Sequence, residues 1–234
     1  MTVLQDISNS NATTLVKNIL TEIHNDTVGV AYLATAQTFT AAQRVVFSTL
    51  TDAATVAVDL SLSNFNLTIG GNRTLGVPTN VVAGQTGMIN IRQDGTGSRT
   101  LVYAWPYEFS GAAAPALSTG KYVFDKLNYS VDKYATSTVT MTIATPCVVI
   151  WTSHGLVSGQ KLQLTTSGAL PTGLSANTSY WVNVVDANTF NLSSSLANLQ
   201  AATYIATSGS QSGVHTAVAM EITITANLGI TSIT

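Results

Sequence analysis

From Thr55 onward, apolar side chains in this chain recur at every second position. Val56, Val58, Leu60 and Leu62 alternate with Ala57, Asp59, Ser61 and Ser63, and the pattern resumes past Asn64 as Phe65, Leu67 and Ile69. Ile89 and Ile91 alternate with Asn90 and Arg92, and Leu127, Tyr129 and Val131 with Asn128, Ser130 and Asp132; Val139, Met141 and Ile143 are spaced by threonines. A period of two places one set of side chains on a buried sheet face and the other in solvent, and no helix satisfies it. Later segments read the same way: "CVVIW" (147–151), "KLQLT" (161–165), "YWVNVV" (180–185), "TFNLS" (189–193) and "EITIT" (221–225), with turn-rich stretches such as "TSHGLVSG" and "SGALPTGLSANT" between them. Short half-buried strands punctuated by Gly, Pro and Asn predict an all-β fold of two small antiparallel sandwich or barrel domains.

Residues 1–36 depart from this period. Between Asn11 and His24 the apolar positions Leu15, Val16, Ile19, Leu20 and Ile23 fall at helical spacing, opposite Lys17, Asn18, Thr21 and Glu22. Ser10 or Asn11 is the expected N-cap. A lone helix of about four turns is marginal in water, so its apolar stripe needs a cover, on this chain or on a partner. The chain thus divides into an N-terminal anchor segment (1–36), a first β module (37–136) and a second (137–234), with the boundary near Ala135, Thr136 and Ser137.

Composition narrows the function classes. Of 234 residues only 9% are charged, against about 25% in typical soluble domains. The polar surface is therefore left to Thr, Ser, Asn and Gln. So neutral a surface suits a subunit fixed among neighbours better than a freely diffusing monomer. Net charge is −2 and the nine basic residues are scattered, which argues against nucleic acid. The opening stretch lacks the basic and apolar regions of a signal peptide, and no apolar run approaches the ~20 residues of a membrane span. One cysteine, Cys147, allows no internal disulfide.

Candidate chemistry is sparse. "RQDGTGSRTLVY" (92–103) has the glycines of a phosphate loop, but such a loop leads into a helix N-terminus, and this one joins two alternating segments. "DGTGS" is read instead as the turn of a β-hairpin. Cys147 and His154 are the only Cys–His pair close in sequence; Cys147 lies in an apolar strand, where a buried structural thiol is expected. His24, His154 and His215 have no metal-ligand spacing, and Asp186 in "VDANT" suits an Asx turn. The sequon at Asn66 reads as an accident of an Asn/Thr-rich chain. The aromatic run "YAWPYEF" leaves two readings open: Tyr103, Trp105 and Tyr107 stack on sugars, or alternate rings fill the core with Pro106 at a bend, and the second is preferred. No paired carboxylates flank the run at a glycosidase spacing. Catalytic residues, metal ligands and cofactors are all expected to be absent.

The segment 37–134 carries Asn66-Leu67-Thr68, "GNRTL" (71–75), Pro78-Thr79-Asn80, Gly84-Gln85-Thr86-Gly87 and "QDGTGSRTL" (93–101). Together these resemble a module of virion structural proteins of tailed bacteriophages. The segment from about Ile143 to Thr216, with "HGLVSGQKLQL", "GALPTGLSANTSYWV", "VDANTFNLS" and "ATSGSQSGVHTA", is similar to a second phage-particle module. That module is the small β-barrel-like fold named after a half-domain of ubiquitin-activating enzymes (FCCH-like). The resemblance implies a non-enzymatic protein of the virion, assembled in the bacterial cytoplasm: a capsid decoration protein or head fibre, expected to be a homotrimer docked on the major capsid protein by its N-terminus. The alternative it implies is a short tail fibre or adhesin, joined to tail or portal proteins and touching host surface glycans. It brings no active-site residues.

Overall fold

A computed structural model describes residues 46–110 and 113–230. The anchor helix expected over Asn11–His24, with Leu15, Val16, Ile19, Leu20 and Ile23, lies outside the described residues.

The first module is a coil rather than a stack of hairpins. Its strands are β1 (Ser48–Thr49), β2 (Thr55–Val56), β3 (Asn64–Ile69), β4 (Arg73–Leu75), β5 (Thr86–Gln93) and β6 (Leu101–Tyr103). Odd and even strands belong to different sheets: β1, β3 and β5 pair in parallel, and so do β2, β4 and β6. The chain thus winds through three rungs, crossing from one sheet to the other in each. Asp59 bridges Thr79 in parallel on a third flank. Each rung stacks its apolar residues on the rung before, so that Phe65 lies beside Ile89 and Leu67 beside Ile91, all fully buried.

Polar side chains fasten rung to rung. The Asp52 carboxylate accepts from Arg73 Nε and Nη2 at 2.6 and 2.9 Å and from the Gly70 amide at 3.1 Å. Asn72 Oδ1 accepts from Thr100 N, and Gln85 Nε2 donates to the Leu60 carbonyl.

Two long strands carry the fold onward: β8 (Phe124–Met141, 18 residues) and β13 (His215–Ile230, 16 residues). They pair antiparallel from Val139 and His215 to Phe124 and Ile230, with shifts of register between Glu221 and Ile222 and between Asn227 and Ile230. The first part of β8 pairs with β5, closing off the coil, and β7 (Tyr107–Phe109) lies parallel on β13. The other ends of the two strands join β9 (Val148–Ile150), β10 (Lys161–Thr166), β11 (Ser179–Val184) and β12 (Thr189–Ser193). The pairings run β8–β9–β12–β11–β10–β13 and back to β8, all antiparallel, so six strands form a closed ring with no free edge. A short helix, α1 (Leu196–Gln200), is capped by the Ser195 hydroxyl accepting from Asn198 N.

The expectation of all-β structure holds, but not that of two small antiparallel sandwiches. One ten-stranded mixed sheet runs through the described residues, beside a three-stranded parallel sheet. Alternation predicts strands and faces but not partners, and a rung that turns a corner has its neighbour one coil away. Residue 136 falls in the middle of β8, which serves two apolar cores in succession. Phe65, Leu67, Ile89, Leu127 and Ile222 belong to the first, and Val149, Leu162, Leu164, Phe190 and Leu192 to the second. The run Val56–Leu62, which reads as one strand, is a two-residue strand followed by a bend, and Leu62 is 48% exposed.

Candidate functional site

The "DGTGS" segment is a turn but not a hairpin. β5 and β6 lie in different sheets and do not pair; β6 meets β4 instead. The buried Gln93 side chain explains the corner: its Oε1 accepts from Arg99 N and its Nε2 donates to Arg99 O, both at 2.9 Å, supplying the bonds a paired strand would have made. Asp94 completes the corner by accepting from the Thr96 and Gly97 amides and from Arg99 Nη2 at 2.8 Å. The Arg99 guanidinium, helped by the Gly97 amide, holds this carboxyl down at about 2.

The aromatic run mostly faces inward. Tyr107 is buried and its hydroxyl donates to Gly76 O at 3.1 Å; Tyr103 is half-buried and donates to Pro115 O at 3.3 Å. Tyr103 meets Tyr107 and Phe109 edge-to-face, and burial pushes both phenols well above their ordinary value. Trp105, at the peptide before Pro106, lines a groove of about 410 Å³ between the third flank of the coil and the ring. Asn80, Tyr134, Gln163 and Asn177 line it with Trp105 over a floor that includes Val218 and Met220, and none of its lining residues is acidic.

A second groove, also about 410 Å³, lies on the outer face of the large sheet and is lined by Asn66, Thr68, Asn90, Arg92, Tyr122 and Phe124. Here Asn66 and Asn90 stand side by side on β3 and β5, Asn90 Nδ2 donating to Asn66 Oδ1 at 3.0 Å. The Arg92 guanidinium carbon sits 5.7 Å from the centre of the Tyr122 ring. Sequence reasoning passes over this pair. Arg92 is one polar residue of an alternating strand and Tyr122 lies thirty positions on in a loop, with no local pattern linking them.

The remaining polar candidates are structural. Cys147 is fully buried, its thiol donating to Thr142 O, and burial pushes its pKa up. His154 Nδ1 accepts from Leu156 N and its Nε2 donates to Asp186 O, both at 2.9 Å, so both ring nitrogens are spent on joining two turns. Asp186 accepts from Asn188 N at 2.7 Å, the Asx turn expected of it, and this bond lowers its pKa. His215 is buried, with Nδ1 at 2.8 Å from the Thr166 hydroxyl. Among the described residues no three His, Cys, Asp or Glu side chains gather as metal ligands do. His24 lies outside them.

No family model matches the chain, and no curated protein does. Among solved structures it is similar to phage phi92 endosialidase, at 18% identity and a TM-score of 0.27. The match covers 47% of this chain and 17% of that one, so the chain spans less than a fifth of that protein.

Proposed function

We propose that this chain is a non-enzymatic structural protein on the surface of a tailed-phage particle, a capsid decoration protein or head fibre attached through residues 1–36. The sequence motifs at 66–101 and 143–216 suggest the particle. The observation that carries a structural role is the continuity of β8 and β13. Two strands of 18 and 16 residues belong at once to the coil and to the closed ring, which makes a stiff, hydrogen-bonded body from a chain with few charges. Such a body transmits position rather than performing chemistry. Its neutral Thr, Ser and Asn faces suit packing against copies of itself, with a homotrimer as the expected state. Cryo-EM of the intact particle tests the reading. Density for the coil and ring on the shell, in hundreds of copies, supports it. A purified protein that sediments as a monomer and does not bind capsids overturns it.

The Trp105 groove favours a second reading, a short tail fibre or adhesin that contacts host surface glycans. Of the three aromatic candidates, Trp105 is the ring that reaches a groove, and amide side chains beside an aromatic ring suit sugar hydroxyls and C–H faces. Tail location at a few to a few tens of copies, together with capture of glycans on an array, distinguishes this reading from the first.

A further inference from the structure

Arg92 differs from the coil's other two arginines. Arg73 is held by Asp52 and Arg99 by Asp94, in each case through two nitrogens. The Arg92 guanidinium has no hydrogen-bond or ion-pair partner among the described residues; it lies over Tyr122. Tyr122 is itself unusual. Its φ of 61° is a left-handed conformation that a bulky residue seldom adopts, yet it is 61% exposed, so core packing does not account for the strain. The ring reaches back over Gly95, where a Cβ would come within 2.6 Å of the phenol oxygen and would push the ring aside.

The groove beside the pair sets amide and arginine side chains against the apolar surface of Leu67, Tyr122 and Phe124. Thr49, Asn66, Asn90, Lys126 and Asn227 occupy matching positions on five adjacent strands, forming one row across the sheet. Lys126 is a second cation with no ion-pair partner among the described residues. Asn90 thus lies beside Lys126 across the strand pair and two residues from Arg92 along β5, with Tyr122 and Phe124 at the edge of the groove, and this combination narrows the ligand class. An arginine fork matches a carboxylate, and side-chain amides match hydroxyls because both can donate and accept. Two cations are too few for a nucleic-acid backbone, and the hydrogen-bonded Asn66–Asn90 pair in the groove suits hydroxyls better than the side chains of a protein interface.

We propose that this face binds an acidic saccharide, with the sugar carboxylate on Arg92, hydroxyls on Asn66 and Asn90, and a C–H face against Phe124. The proposal rests on the adhesin reading and gives its glycan a charge and a second place of contact. The test presents the full chain with polygalacturonate, polyglucuronate and polysialate oligosaccharides, each beside its carboxyl methyl ester, and titrates the hits calorimetrically. Binding of an acid form, with loss of about tenfold or more in affinity for the methyl ester and for Arg92→Gln, supports it. Affinity that falls with added salt and is partly kept by Arg92→Lys supports it further. Arg92 is exposed, so Arg92→Gln should leave the fold intact, which circular dichroism checks. If neutral glycans bind and only Trp105→Ala abolishes capture, this proposal falls and the adhesin reading stands. If no saccharide is captured, and host cells are not bound either, both fall. If Arg92→Gln changes the oligomeric mass or particle attachment without any saccharide signal, the face is a protein contact and the proposal is overturned.

Discussion

Asp94 shows how much of a corner one carboxylate can organise. It is held to about 2 by Arg99 and by backbone amides, well below the ordinary 3.8. A depressed folded pKa contributes stability that is present above the ordinary value and is lost as pH falls through about 2. Asp52, lowered by Arg73 and the Gly70 amide, acts in the same direction. The coil corners should therefore loosen between about pH 4 and pH 2. Amide exchange should rise first at Thr96 and Gly97, and Asp94→Asn should show the faster exchange already at pH 7. Deeper in the same rungs, Leu67 is 1% exposed between stacked neighbours. Leu67→Ala should cost about 2–5 kcal/mol in urea unfolding, because stacked rungs leave little freedom to fill the cavity.

At the scale of elements, the coil depends on close backbone approach. A Cβ on Gly87, in β5, would lie 1.7 Å from the Ser63 carbonyl oxygen and 2.6 Å from the Tyr129 hydroxyl, which itself donates to Ser63 O. Gly87→Ala must force the second and third rungs apart and should cost about 2 kcal/mol or more, read as a lower urea midpoint. The last turns of β13 are held by a different device. The buried Asp125 carboxylate accepts from Ser118 N, the Ser118 hydroxyl and Gly229 N, all within 2.8 Å. Asp125→Ala should leave these donors unsatisfied and speed exchange at Gly229 before global unfolding.

At the scale of the whole molecule, β8 is shared property. A polypeptide of residues 137–234 would match the second module as the sequence divides it, yet it would lack most of the strand that closes the ring. It should stay unfolded by far-UV circular dichroism, whereas residues 124–234 should show strand structure. The intact chain should melt its two cores in one transition, since neither loses β8 and β13 without exposing the other. Two separate calorimetric peaks would contradict this.

Local pattern carried a good part of this. Alternation identified β3 and β5 and, as two separate runs, the length of β8, while short apolar runs marked the other five strands of the ring. Leu127, Tyr129, Val131, Val139 and Met141 are buried as their spacing requires, but Ile143 of the same series lies past the end of β8 and is 45% exposed. The buried thiol of Cys147 and the Asx turn at Asp186 were also legible, because an apolar surrounding and Asx chemistry are local properties, whereas the bond from His154 to Asp186 O joins residues far apart in the chain. Partner choice was not legible either. The sequence holds a hint in the recurrence of Gly-x-Arg-Thr-Leu at 71–75 and 97–101, but an Asp-Gly turn between two alternating runs reads as a hairpin unless the Gln93 bonds are known. Arg92 and Tyr122 meet only after β5, the loop before β8 and the corner at Asp94 are in place. A side chain's period of two is dictated by its own backbone. Whether its strand runs parallel or antiparallel, and to which neighbour, is decided by residues one coil or a whole module away, so only the tertiary structure could settle it.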